Sequence, residues 1–315
     1  MKIQPKNEKK SFLINAVFNF HILFKNNPVS FSFLGFILLI LIYLLSRSFL
    51  LLNTGQYNDI LIFAMIGSGI SFLATAIGAL PAFFLSKIQH RTEDIMLGFS
   101  AGMMLSASTF SLIIPGLDSG RQLFGSSGLG SMVVVFGMGL GVALMMGLEQ
   151  LIPHEHEKTG TFGLGQERVS RIWLFVFAIA LHNIPEGMAI GVGFSQGDFS
   201  VGLPLTIAIA LQNLPEGLAV AITLRGVGVP VNRAVMVAAI TGLLEPVGAV
   251  LGVGLAVGNP IAYPIGLGLA GGAMIFVVSH EVIPETHRNG HQTASTVGLM
   301  IGFAVMMVLD TAFGG

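Results

Sequence analysis

Two decapeptides, LHNIPEGMAI at 181–190 and LQNLPEGLAV at 211–220, interrupt runs made otherwise of Leu, Ile, Ala, Val and Gly. Each carries an imidazole or amide, a carboxylate and a proline into an apolar setting. On a helix, His182 and Glu186 stand i, i+4 and project from one face, with Asn183 on the same rim. Gln212, Asn213 and Glu216 repeat the arrangement, and a third acid, Glu245, lies beside a proline in LLEPVG at 243–248. Imidazole, carboxylate and amide oxygens without a sulfur anion suit a divalent first-row ion such as Zn2+, Fe2+ or Mn2+.

The elements that must hold these groups are apolar helices. The chain of 315 residues is 53% hydrophobic and only 10% charged, with a mean hydropathy of +0.82. A soluble domain carries about 25% charged residues, so water is not this chain's main solvent. Runs of about 20 apolar residues, the length that spans a bilayer core, fall at 31–52, 60–86, 95–117, 131–152, 172–195, 201–224, 234–257, 261–283 and 294–314. Ahead of them, residues 1–30 read as a cytoplasmic or interfacial segment, with Phe12, Ala16, Phe20 and Leu23 on one helical face. The 41 glycines let helices approach closely, the usual packing device in lipid.

Counting Lys and Arg on alternate sides of these spans puts 13 of the 15 on one side and leaves Arg47 and Arg121 on the other. By the positive-inside rule the N-terminus is cytoplasmic and the C-terminus external, in a multi-pass protein of the cell (inner) membrane. The net charge of −1 gives no reason to expect nucleic acid. The absence of cysteine excludes disulfides and thiolate metal sites.

Glu186, Glu216 and Glu245 lie mid-span with no Lys or Arg at comparable depth. A mid-membrane acid costs ~2.5–3.5 kcal/mol on insertion scales. Three of them without a basic partner point to a cation supplied from outside. Pro185 and Pro215 add to the polarity by freeing the carbonyls of Leu181 and Leu211 and bending their helices, and irregular backbone at this depth is tolerated where it lines a cavity.

HNIPEG followed by QNLPEG in adjacent spans, with an acid–Pro pair in the next, resembles the Zrt-/Irt-like (ZIP) family of divalent metal transporters, in particular its prokaryotic GufA-like branch. The resemblance covers about residues 60–315. It implies an all-α polytopic membrane fold with an eight-helix core, arranged as three, two and three helices with inverted-repeat symmetry. The span at 31–52 is then an extra N-terminal transmembrane helix. It also implies a transport site between the two central helices, built from His182, Asn183, Glu186, Gln212, Asn213, Glu216 and Glu245, with Met104 of SAGMMLSAS on a helix near it. Gln212 replaces the His of many members and Asn213 the Asp of some. A two-ion site bridged by Glu186 is therefore expected to be weaker at its second position.

Asp118 and Asp310, near external span ends, are candidates for drawing cations to an entrance. On the cytoplasmic side, EQLIPHEHE and SHEVIPETHRNGH place His154, His156, His280, Glu281, Glu285, His287 and His291 where they could collect metal on exit. The expected function is a secondary transporter carrying a divalent transition metal into the cytoplasm: zinc first, with cadmium, iron and manganese as further candidates. The partners are metal ions and the lipid bilayer, and a homodimer is compatible with the sequence. No GxxxxGK[ST] supports ATP drive. The main alternative, an intramembrane metallohydrolase, would need H-E-x-x-H, and neither HEHEK at 154–158 nor HEVIP at 280–284 supplies the second His. A metal sensor would need a soluble output domain, and an organic-solute carrier would leave the i, i+4 pairs unexplained.

Overall fold

The computed structural model describes residues 57–313 except 86, 152–153, 157–159, 163–170, 198 and 227, together with isolated positions between 35 and 55. The amphipathic stretch at 12–23, the whole segment 1–30 and most of 31–52 lie outside the described residues.

Helix α1 spans Asn58–Ala79 and tightens into a short 3-10 turn at Leu80–Phe83. Helix α2 (His90–Ser106) runs through a π-helical stretch, Ala107–Ile113, into α3 (Ile114–Phe124). Helix α4 covers Ser127–Leu151. After it, two three-residue strands, β1 (His154–His156) and β2 (Gly160–Phe162), pair antiparallel. The central helices are α5 (Arg171–Phe194) and α6 (Phe199–Gly226). Then come α7 (Val231–Gly242), α8 (Leu244–Ala256), and α9 (Ala262–Val277), which continues through a π stretch at Val278–Val282 into α10 (Ile283–Thr286). Helix α11 (Gln292–Phe313) ends the described chain.

Seven of the resulting spans are long and apolar enough to cross a bilayer among the described residues, and α5 adds an eighth long helix of 24 residues. The chain is an all-α polytopic membrane protein whose helices fall close to the apolar runs. Two differences have local causes. The second span begins earlier than the apolar run because its first turns carry His90, Arg91, Glu93 and Asp94. The expected single span 234–257 is two helices that meet at Leu243, between Gly242 and Glu245. Pro246 sits in the first turn of α8, where its missing N–H costs no helical hydrogen bond. Pro185 and Pro215, by contrast, are absorbed within α5 and α6 without ending either helix.

Glycines decide which helices touch. A Cβ on Gly217 would run into the carbonyl of Thr75, and one on Gly78 into Leu214, so α1 and α6 lie backbone to backbone. Gly187 and Gly191 meet the carbonyls of Glu245 and Ala249, joining α5 to α8 in the same way. Gly98, Gly102, Gly298 and Gly302 seal α2 to α11, and Gly137, Gly141, Gly268 and Gly272 seal α4 to α9. Small-residue contact of this kind lets dispersion act between helices that lipid would otherwise separate. Two groups follow: α1, α5, α6 and α7–α8 in one, and α2–α3, α4, α9–α10 and α11 in the other. Between the groups, α5 meets α9 and α2 meets α6. There the nearest neighbours of Gly266 are side-chain carbons, the methyls of Val192 in α5 and Ala256 in α8. The opposite face of α1, with Ile62, Ile66, Ile70, Leu73 and Ile77, is exposed and apolar, as a lipid-facing stripe must be.

Candidate functional site

His182, Asn183 and Glu186 occupy successive positions on the inner face of α5 and are all buried. Gln212, Asn213 and Glu216 do the same on α6, the helix packed against it. Glu245 enters from the first turn of α8, at the break after Gly242, and is fully buried. The break delivers the acid: a helix that starts inside the bundle offers free backbone N–H groups and a favourable dipole end for a carboxylate.

These residues converge through hydrogen bonds. Gln212 Nε2 donates to Glu186 Oε1 at 2.6 Å, and Asn213 Nδ2 donates to Glu245 Oε1 at 2.9 Å. Glu216 lies one turn beyond Gln212 on α6 and is buried as they are. None of the ion pairs among the described residues involves these three acids. Each amide thus spends its NH2 group on a carboxylate and keeps its oxygen.

The atoms left over are informative. Among the described residues, eight buried side-chain polar atoms have no hydrogen-bond partner: His182 Nε2, Asn183 Nδ2, Glu186 Oε2, Gln212 Oε1, Asn213 Oδ1, Glu216 Oε1, Glu245 Oε2 and Ser106 Oγ. Seven belong to residues singled out from the sequence. Leaving a buried polar atom unpaired costs about 1–3 kcal/mol, more for a charged one. Such a concentration of open polar atoms calls for partners other than the described side chains. Five of the seven are oxygens and one is an imidazole nitrogen, a hard-to-borderline donor set for a divalent cation. The Asn183 atom is an amide nitrogen, a donor rather than a ligand. No three His, Asp or Glu side chains among the described residues form a ready metal cage by themselves; the amide oxygens stand among the acids instead.

The remaining candidates are dispersed. Met104 is buried in the apolar core on α2, one turn beyond Ser100, whose Oγ donates to the carbonyl of Gln212 at 3.0 Å. Asp118 is exposed on α3. Asp310 of α11 accepts from Ser111 Oγ in the first π stretch at 2.5 Å. His154 and His156 lie on β1, which packs against α5. The ring of His280 stacks on Phe276 with centroids 5.1 Å apart, and Glu281 follows it in the second π stretch. Glu285 pairs with Arg288 at 3.2 Å, and the His287 carbonyl caps the Gln292 side chain. His291 Nδ1 lies 2.8 Å from buried Asp94, which also accepts from Asn289. These contacts stitch the chain ends of α2, α10 and α11 together, and among the described residues they gather no metal cage. Ser71 and Thr75 of α1, hydrogen-bonded into the Glu245–Asn213 pair, had no signal beyond their i, i+4 spacing.

Among its described residues this polytopic helical membrane protein thus gathers three buried acids without an ion-pair partner and a buried imidazole. The ZIP zinc transporter family model matches residues 150–310. Zinc transporter ZIPB of Bordetella bronchiseptica is 54% identical over 261 residues, covering 83% of this chain and 84% of that protein. Zinc transporter GufA of Myxococcus xanthus is 38% identical over 250 residues, 79% of this chain and 98% of the relative. Human zinc transporter ZIP11 is 30% identical over 333 aligned positions, 80% and 97%. The chain belongs to the ZIP family, and the match to GufA supports its GufA-like branch. It is accordingly a secondary transporter of divalent metal and not an enzyme.

Proposed function

We propose that the chain carries Zn2+ into the cytoplasm, with Cd2+, Fe2+ and Mn2+ as further candidates, through a site at the bilayer midplane made by His182, Glu186, Gln212, Asn213, Glu216 and Glu245. The observation that carries this reading is the set of unpartnered acceptors on those residues. A cation bound among them would take up acceptors that the described side chains leave open. Neutral amide oxygens among the anions keep the site loose enough to release its cargo. That the relatives are named as zinc transporters favours zinc.

The 3+2+3 inverted repeat of the 60–315 core is supported by matched packing. The first span packs on the fifth as the sixth packs on the fourth, and the second packs on the eighth as the seventh packs on the third. The second and seventh spans also each hold a π stretch closed by a proline, Pro115 and Pro284. Glycine-sealed groups meeting through side chains suit one half sliding or rocking against the other about a fixed site. The Lys and Arg distribution supports a cytoplasmic N-terminus and an external C-terminus. Arg47, in the expected extra helix, donates to the carbonyls of Leu255 and Val257, which supports that helix docking at the external end of α8.

Uptake of tracer Zn2+, Cd2+, Fe2+ and Mn2+ into reconstituted vesicles tests the function; uptake of none of them would refute it. The ligands bind metal only when deprotonated, so protons compete with the cargo. Zinc uptake should therefore fall as external pH is lowered from 8 to 5, and a flat profile would count against histidine and carboxylate ligation. Asn213→Asp should add an anionic ligand beside Glu186 and Glu245. Counting bound zinc per protein should then show the second position filling at lower metal concentration than in the unaltered chain; no gain would contradict ligation at residue 213.

A further inference from the structure

The two repeated motifs seat their glycines on different helices. Gly187 packs on the carbonyl of Glu245 in α8, and Gly217 packs on the carbonyl of Thr75 in α1. Thr75 therefore takes, beside α6, the backbone seat that Glu245 takes beside α5. Its side chain, only 2% exposed, turns to that same acid: Thr75 Oγ1 donates to Glu245 Oε1 at 3.2 Å. One turn earlier, Ser71 is fully buried and its Oγ accepts from Asn213 Nδ2 at 2.9 Å. The same amide nitrogen reaches Glu245 Oε1 at 2.9 Å. An amide nitrogen has two hydrogens, so Ser71 and Glu245 together fix the plane of Asn213. Glu245 receives two donors on one oxygen and keeps Oε2 unpartnered, as Asn213 keeps Oδ1.

Resting on the reading of Glu245 as a metal ligand, we infer that Thr75 and Ser71 of α1 are positioning residues of the metal site. Thr75 holds Glu245 directly, and Ser71 holds it through Asn213. One oxygen of Glu245 is committed to the protein so that the other is presented to the ion. The alternative acceptor for the Thr75 hydroxyl is the Ser71 carbonyl at 3.4 Å, a longer bond to an uncharged oxygen. By this account α1 belongs to the site as fully as α5, α6 and α8, although it carries no acid or imidazole at that depth.

Zinc binding to the purified full-length protein, read by equilibrium dialysis, tests the inference. Thr75→Val keeps the shape and removes the hydroxyl, and it should weaken zinc binding about tenfold. Thr75→Ser restores the donor and should bind within about twofold of the unaltered protein. In a Glu245→Ala background no carboxylate is left to position, so Thr75→Val should add less than about twofold. Unchanged binding in Thr75→Val, or an undiminished penalty in the Glu245→Ala background, would overturn the inference and leave Thr75 a packing residue. Should Thr75→Val not fold, Ser71→Ala carries the same cycle through Asn213, with about a threefold loss expected in the presence of Glu245 and none without it. Failure of the underlying site reading looks different: Glu186→Ala would then bind zinc as tightly as the unaltered protein, and the inference would fall with it.

Discussion

Replacing Glu186 with alanine should abolish zinc uptake, by more than about 100-fold, while leaving the protein folded. The two halves of that expectation have separate origins. Glu186 is fully buried, its Oε2 is one of the unpartnered acceptors, and its Oε1 is held by Gln212 of the other motif, so it stands between the two central helices where the proposed ion would sit. Loss of a mere supporting group beyond the ligands already costs metal sites 10–100-fold in typical cases. Stability should fall only modestly, by about 1–3 kcal/mol, because Glu186 has no ion-pair partner to lose and its removal leaves one buried donor, Gln212 Nε2, unpaired. Tracer uptake and thermal unfolding measured on the same preparation check both halves. Uptake that survived in Glu186→Ala would take this residue out of the site.

The second large effect is on folding. Gly187→Val should cost about 3 kcal/mol or more and remove most of the folded protein, because a Cβ at 187 meets the carbonyl of Glu245 and the α5–α8 pair must part to admit it. Gly69→Ala makes the contrast, since nothing lies within 4 Å of a Cβ there. In a helix interior that change should be neutral or stabilising by about 0.5–1 kcal/mol. Melting temperatures of the two variants separate the cases. Equal tolerance of both would contradict backbone contact between α5 and α8, and with it the seat that brings Glu245 to the site.

Much of this was legible in the residues themselves. Eight of the nine apolar runs fall on described helices, because about 20 consecutive apolar residues have one stable outcome in lipid, and the run at 31–52 lies mostly outside the described residues. Seven of the eight unpartnered buried atoms lie on side chains chosen from the HNIPEG, QNLPEG and LLEPVG stretches, because an acid at membrane depth is costly enough to need a reason. What escaped was of a different kind. Ser71 and Thr75 look like ordinary small packing residues of a membrane helix, and only the fold shows that the Thr75 hydroxyl meets Glu245 and the Ser71 hydroxyl meets Asn213. The division of the amides was also hidden: Gln212 and Asn213 read as ligands or as interhelical glue, and each donates its nitrogen to an acid of another helix while its oxygen stays without a partner. The break between α7 and α8 and the two π stretches depend on how neighbouring helices pack, which hydropathy does not record. Asp94 paired with His291 joins residues 197 positions apart, beyond the reach of local spacing.

The claim beneath all of this is that the buried carboxylates, imidazole and amide oxygens await a metal cation. Anomalous diffraction from crystals soaked in saturating Cd2+ measures it most directly. The account predicts a strong peak between α5 and α6, within about 2.0–2.6 Å of His182 Nε2, Glu186 Oε2 and Glu216 Oε1. No peak there, with the three acids sharing protons among themselves, would contradict it.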